Sequence, residues 1–158
     1  MCGMKISIAA DHAGYELKEK VKQALQQQGL EVEDHGTHSN GSVDYPDYAL
    51  KVAEDVADKR ADLGILVCGS GIGMAISANK VPGIRAANVH SEYEAQMSRE
   101  HNDANVLTIG ARVLDEPTAL KIVETWLRTS FAGGRHQNRV DKIVAIERAN
   151  GNGQAKLV

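Results

Sequence analysis

The stretch LGILVCGSGIGMAISANK, Leu63 to Lys80, carries the reading of this chain. With the preceding Asp62, the run DLGILVCG (62–69) is the most continuously apolar in the sequence, as expected of a strand covered on both faces. It ends in a cysteine, Cys68, and then in glycines at alternate positions, Gly69, Gly71 and Gly73. A short helix is expected from about Gly71 to Asn79. A doubly covered strand that turns through glycines straight into a helix is the opening of a parallel β–α unit.

The same alternation continues in both directions. KISIAA (5–10) reads as a strand, and YELKEKVKQALQQQ (15–28) as a helix with Leu17, Val21, Ala24 and Leu25 on one face, ended by Gly29. LEVEDHG (30–36) is a more polar strand, placed nearer an edge. DYPDYALKVAEDVADK (44–59) has Pro46 at a helix start and Leu50, Val52, Ala53 and Val56 as its apolar positions. Beyond the central stretch, strands are expected at 84–89 and 105–111, and helices at 91–101, 116–131 and 137–150. Five alternations of strand and helix imply an α/β fold with a parallel sheet between helical layers. Ligands in such folds bind at the carboxyl ends of the strands. One domain over 1–150 with a frayed tail over 151–158 is the expected organisation.

Composition narrows the function classes. A net charge of -3 gives no general affinity for nucleic acid or an acidic membrane, so any anion site must come from a local basic cluster. One Trp and one Phe exclude a stacking platform for single-stranded nucleic acid. The segment MCGMKISIAADHAG holds no apolar run long enough for a signal peptide or a membrane span. The two cysteines, Cys2 and Cys68, fit neither a zinc ribbon nor a disulfide framework, and a reducing cytoplasm is the expected location.

Three familiar loops fail against the glycine segment. A dinucleotide fingerprint would need glycine where Met74 or Ile76 stands, and a Walker loop would need a Lys followed by Ser or Thr. A phosphatase-type thiol loop would need Arg at Met74. A free cysteine is often simply a buried small hydrophobe. Here Cys68 neighbours backbone N–H groups at a helix start, which favours thiolate over thiol. The glycine N–H groups suit a phosphate or a developing oxyanion, and Ser70 can relay a proton beside the thiol.

Other strand and helix ends supply further candidates. Asp11 and His12, in AADHAG, close the first strand, where Asp11 also has the residue type of a helix N-cap. His101 and Asn102 lie at a helix end before the fifth strand, a place where histidine also complements the dipole. Arg112 stands just past that strand. Arg135 and Arg139, at i and i+4 around His136, are either solvated charge or a forked anion clamp.

Together AADHAG, VDYPDYA, CGSGIGMAISANK, SREHNDANVLTIGARV and GGRHQNRV resemble the type B ribose-5-phosphate isomerases, grouped with the galactose-6-phosphate isomerase subunits. The resemblance runs from about Lys5 to Ile146. It implies a three-layer α/β/α Rossmann-like sandwich with a five-stranded parallel sheet. No metal and no organic cofactor are implied. It also implies a homodimer or homotetramer with active sites where subunits meet, and a small phosphosugar as substrate. By the same resemblance Cys68 is the base that moves a proton between sugar carbons, and Asp11 and His101 assist ring opening. Ser70 and the loop Gly69, Gly71, Ile72 and Gly73 stabilise the anion. His12, Arg135 and Arg139 are phosphate ligands, and Tyr45 lines the substrate pocket. Arg112 and Asn102 reach in from the neighbouring subunit. Ser70 stands where threonine is common in the family, which keeps the hydroxyl. The implied reaction interconverts D-ribose 5-phosphate and D-ribulose 5-phosphate. The alternatives are an isomerase of a six-carbon sugar phosphate and a non-catalytic phosphosugar-binding module.

Overall fold

The structure, a computed structural model, describes residues 3–151. Five strands, β1 (Lys5–Ala10), β2 (Glu31–Asp34), β3 (Leu63–Cys68), β4 (Ala86–Asn88) and β5 (Val106–Gly110), form one sheet in the order β2-β1-β3-β5-β4. Every pairing is parallel. The helices are α1 (Tyr15–Gln27), α2 (Tyr45–Ala57), α3 (Ile72–Ala78), α4 (Glu92–Glu100), α5 (Glu116–Arg128) and α6 (Arg135–Gly151). The architecture is the expected three-layer α/β/α sandwich.

All six residues of β3 are buried, as the continuous apolar run requires. Because side chains alternate, Leu63, Ile65 and Val67 enter one core with Leu17, Val21, Ile122 and Trp126 from α1 and α5. Leu66 and Cys68 enter the other, with Val52, Ala53 and Val56 of α2 and Met74 of α3. Gly64 is forced by this second layer, since a Cβ there would sit 2.5 Å from a Val52 methyl. The charged EVED of β2 takes an edge, as its polarity predicts.

Four differences from the sequence expectations have simple causes. Leu50 is 48% exposed, because α2 turns only its Ala49, Val52, Ala53 and Val56 stripe inward. Lys18 of α1 is wholly buried, neutralised by Asp34 (Nζ to Oδ1 2.8 Å) and bonded to the Thr37 carbonyl at 2.8 Å. α5 ends at Arg128 rather than 131, where Thr129 turns to extended backbone. α6 starts at Arg135, two residues early, after Gly133 and Gly134 pass through the left-handed region (φ +65° and +54°). The expected tail lies outside the described residues from 152 on, and Gly151 still belongs to α6. No helix among the described residues is long and apolar enough to cross a membrane.

The chain winds from β1 outward to β2 across one face, then returns past β1 to β3 across the other. The crevice between β1 and β3 is therefore the switch point, where the carboxyl ends of two strands splay apart.

Candidate active site

Asp11 and Cys68 meet at that crevice. The Asp11 N–H donates to the Val67 carbonyl at 3.2 Å, which locks the end of β1 to the end of β3. The Asp11 carboxylate accepts from the N–H groups of Ala13 (3.0 Å) and Gly14 (3.1 Å), so it closes the turn into α1. Gly14 is required there, since a Cβ would collide with the Val67 backbone. His12 is oriented by the loop after β2, whose Val43 N–H donates to its Nδ1 at 3.2 Å. The neutral ring then carries its proton on Nε2.

Cys68 is buried, and the Gly71 N–H donates to its Sγ at 3.1 Å. Gly71 reaches this position with φ +83°, a conformation that favours glycine. Ser70 Oγ accepts from the Ile72 N–H at 3.2 Å, at the entry to α3. The N–H groups of Ser70 and Gly73 have no acceptor among the described residues. Gly73 is covered by the Tyr45 ring, which a Cβ would strike. Arg112 lies against the same loop: its N–H bonds the Gly69 carbonyl at 2.9 Å, and its Cδ and Nη1 are 3.4 Å from where a Gly69 Cβ would stand. The resemblance implied a place across a subunit interface for Arg112; the fold puts it beside the thiol loop of its own chain.

His101, Asn102, Arg135 and Arg139 are elsewhere. α4 leaves the carboxyl end of β4 and runs back to the amino end of β5, so His101 and Asn102 sit at the opposite edge of the sheet. At ~3.3 Å per residue, the five residues of β5 separate the two edges by about 16 Å. The His101 ring stacks on His136 of α6, centroids 4.1 Å apart and nearly parallel at 12°. That contact brings Arg135 and Arg139 to the same edge. Burial, then the positive charges of His101, Arg135 and Arg139, pushes His136 below the usual imidazole range, with Glu100 opposing. Arg60, Arg85, Arg99 and Arg128 each pair with a carboxylate. Arg112, Arg135 and Arg139 form no ion pair among the described residues, which leaves their guanidinium groups to an incoming anion.

Several anchoring groups were invisible in the motifs. Arg85 Nε donates to the carbonyls of Asn102 (3.0 Å) and Asp103 (3.2 Å), and Arg99 Nε reaches the Thr129 carbonyl at 3.2 Å. The two arginines thus clamp the turn that carries His101. On the other half, Lys18, Lys22 and the Gly36 N–H converge on Asp34. Burial raises the Asp34 carboxyl, but those bonds outweigh it and hold it below the usual carboxylate range. Asp55 behaves alike: burial raises it, and bonds from His35, Ser7 and Arg60 bring it lower. Both carboxylates flank the loop that orients His12. Local sequence shows little of this, because Lys18 and Lys22 reach Asp34 from α1 and Ser7 and His35 reach Asp55 from distant segments.

The comparisons with known proteins agree with this geometry. A family model described as Ribose/Galactose Isomerase matches residues 6–143. Ribose-5-phosphate isomerase B of Escherichia coli (strain K12) is 49% identical over 143 residues, covering 90% of this chain and 96% of that protein. The structure of Clostridium thermocellum Ribose-5-Phosphate Isomerase B matches with a TM-score of 0.91 at 56% identity, over 92% of this chain and 99% of the other. Ribose-5-phosphate Isomerase B from Mycoplasma genitalium, solved with bound Ribulose-5-phosphate, matches with a TM-score of 0.90 at 41% identity, over 94% and 99%. The match runs from β1 into α6 and takes in both clusters, and the chain belongs to the Ribose/Galactose Isomerase family.

Proposed function

We propose that this protein interconverts D-ribose 5-phosphate and D-ribulose 5-phosphate. The observation that carries the reading is the thiol of Cys68, held by the Gly71 N–H in the switch-point crevice beside the acceptor-free N–H groups of Ser70 and Gly73. Aldose–ketose isomerisation needs a base that takes the C2 proton and returns one to C1, and donors for the oxygen that becomes negative in between. Cys68 as thiolate takes the proton from C2 of the open-chain aldose. The C2–H electron pair becomes the C1–C2 double bond, and the C1 carbonyl oxygen becomes the enediolate oxygen, facing the loop N–H groups. The thiol then returns the proton to C1, while the hydroxyl proton on O2 passes to O1 with Ser70 as the relay. Bond count and charge balance with no other reactant.

Ring opening is assigned to Asp11 and His101, and phosphate binding to His12, Arg112, Arg135 and Arg139. Tyr45, Ile72 and Asn102 line the sugar. These groups lie at opposite edges of one chain, so the site is completed by a second copy. Exposed apolar residues stand beside each half: Ile72 (53%) and Ile76 (58%) next to the thiol loop, and Ile146 (65%) in a groove of about 840 Å³ that also includes Asn102. A second copy covers these surfaces and brings its amino-edge cluster to Cys68. Phosphate binding far from C1 and C2 then positions the reacting carbons.

The deciding experiment assays the purified protein against ribose, allose and galactose phosphates in both directions. Preferred turnover of ribose 5-phosphate is expected. Binding without turnover of any of the three would overturn the enzymatic reading, and preferred turnover of a six-carbon substrate would overturn the pentose assignment.

A further inference from the structure

The sheet face covered by α2 and α3 carries a row that leads to the thiol, apolar at one end and polar at the other. Ala9, Leu66, Thr108 and Asn88 are in-register neighbours across β1, β3, β5 and β4, and their side chains share that face. Ala9, Leu66 and Thr108 are fully buried. The Thr108 hydroxyl has Asn88 as its acceptor, Oγ1 to Oδ1 at 3.2 Å. The same Oδ1 stands so close to Gly71 that a Cβ there would collide with it, and the Ile109 carbonyl carbon lies 3.0 Å from that position. A hydrogen occupies the place on glycine, so the Asn88 oxygen faces the Gly71 Hα as a weak acceptor. Gly71 is in turn the residue whose N–H points at Cys68 Sγ.

We propose that Asn88, supported by Thr108, is a positioning residue for the thiol, fixing Gly71 so that its N–H stays directed at the sulfur. The inference rests on Cys68 as the proton-transfer base. A left-handed glycine has a wide range of conformations open to it, and only its neighbours select one. Ile109 and Asn88 both crowd Gly71 and restrict how its peptide can turn. A hydrogen bond to a charged acceptor is worth more than one to a neutral acceptor, so an N–H kept on the sulfur acts most strongly when the sulfur carries the charge of the base. An apolar residue at 88 would leave the buried Thr108 hydroxyl without its acceptor and let Gly71 turn away. The charged and titratable groups around the loop, Asp11 from β1, His12 before α1, Tyr45 from α2 and Arg112 beyond β5, are untouched by the change.

The test uses Asn88→Leu and Thr108→Val in the full chain. Steady-state kinetics with ribose 5-phosphate are combined with the pH dependence of iodoacetamide alkylation at Cys68, followed by peptide mass spectrometry. For Asn88→Leu, kcat falls about tenfold with KM within about twofold of the parent, and the alkylation midpoint moves to higher pH. Thr108→Val moves both in the same direction by less, and it carries the test if Asn88→Leu does not fold. A lowered melting temperature with unchanged kcat and an unchanged alkylation profile in the folded variants would mean a merely structural role and overturn the proposal. If the parent protein lacks isomerase activity, the assignment of the base fails instead, and the alkylation profiles still decide the role of Asn88.

Discussion

The cluster at the carboxyl ends of the strands and the cluster at their amino ends are built from different materials. Around Cys68 the polar groups are mostly backbone: the Gly71 N–H on the sulfur, the N–H groups of Ser70 and Gly73 without an acceptor among the described residues, and glycines where a Cβ would strike a neighbour. Around His101 they are long charged side chains on helix ends, with Arg135 and Arg139 unpaired and the turn held by Arg85 and Arg99. Backbone dipoles fixed by sheet geometry suit a charge that develops during reaction, because they need no reorganisation. Guanidinium groups suit a permanent charge such as phosphate. About 16 Å of sheet lies between the two clusters, and the proposed site needs both.

The largest expected effect separates chemistry from binding. Cys68→Ala lowers kcat by about 10³-fold or more while phosphosugar binding, followed by calorimetry, is retained. Near-normal turnover would remove Cys68 from its role. Next comes a mixing experiment that addresses the division itself. Cys68→Ala and His101→Ala chains, each inactive, are unfolded together and refolded. If sites are shared between subunits, half of the dimers are mixed and one of the two sites in each is intact, so activity returns to about a quarter of the parent. No recovery would mean that both halves serve one chain. Arg135→Ala is expected to raise KM about tenfold with little change in kcat, and unchanged values for both would delete the clamp.

Two further predictions concern stability on the carboxyl-edge side. Lys18→Met removes a wholly buried ammonium and leaves Asp34 with a weaker set of partners, costing about 3 kcal/mol in denaturant unfolding. A loss near zero would show that Lys22 alone satisfies Asp34. The smallest effect is the pH dependence. Asp34 and Asp55 are lowered in the folded state, so their stabilisation is complete above the unfolded carboxylate value, near pH 4, and is lost as pH falls through the folded values. Melting temperature should therefore decline below about pH 4, and less steeply in Asp55→Asn.

Much of this was legible in the residues. The all-buried run of β3, the polar β2 at an edge and the stop at Gly29 follow from local pattern, because burial on two faces and left-handed turns each demand particular residue types. The thiol, the glycines and the free arginines were likewise visible as chemistry. Lys18 was not, since a lysine among α1 helix formers looks solvated until Asp34 arrives from β2. Asn88 was missed for the same reason: nothing in AANVHS says that a glycine from another loop will press against it.

By itself, then, the sequence determined the alternation of strand and helix and offered a thiol beside a glycine loop and a basic cluster as candidates for the chemistry. The tertiary structure decided which of these groups meet. Parallel strands send every crossover helix back to the opposite edge, so Asp11, Cys68 and Arg112 gather at one end while His101, Arg135 and Arg139 gather at the other. That separation is a property of the winding, and no single segment contains it.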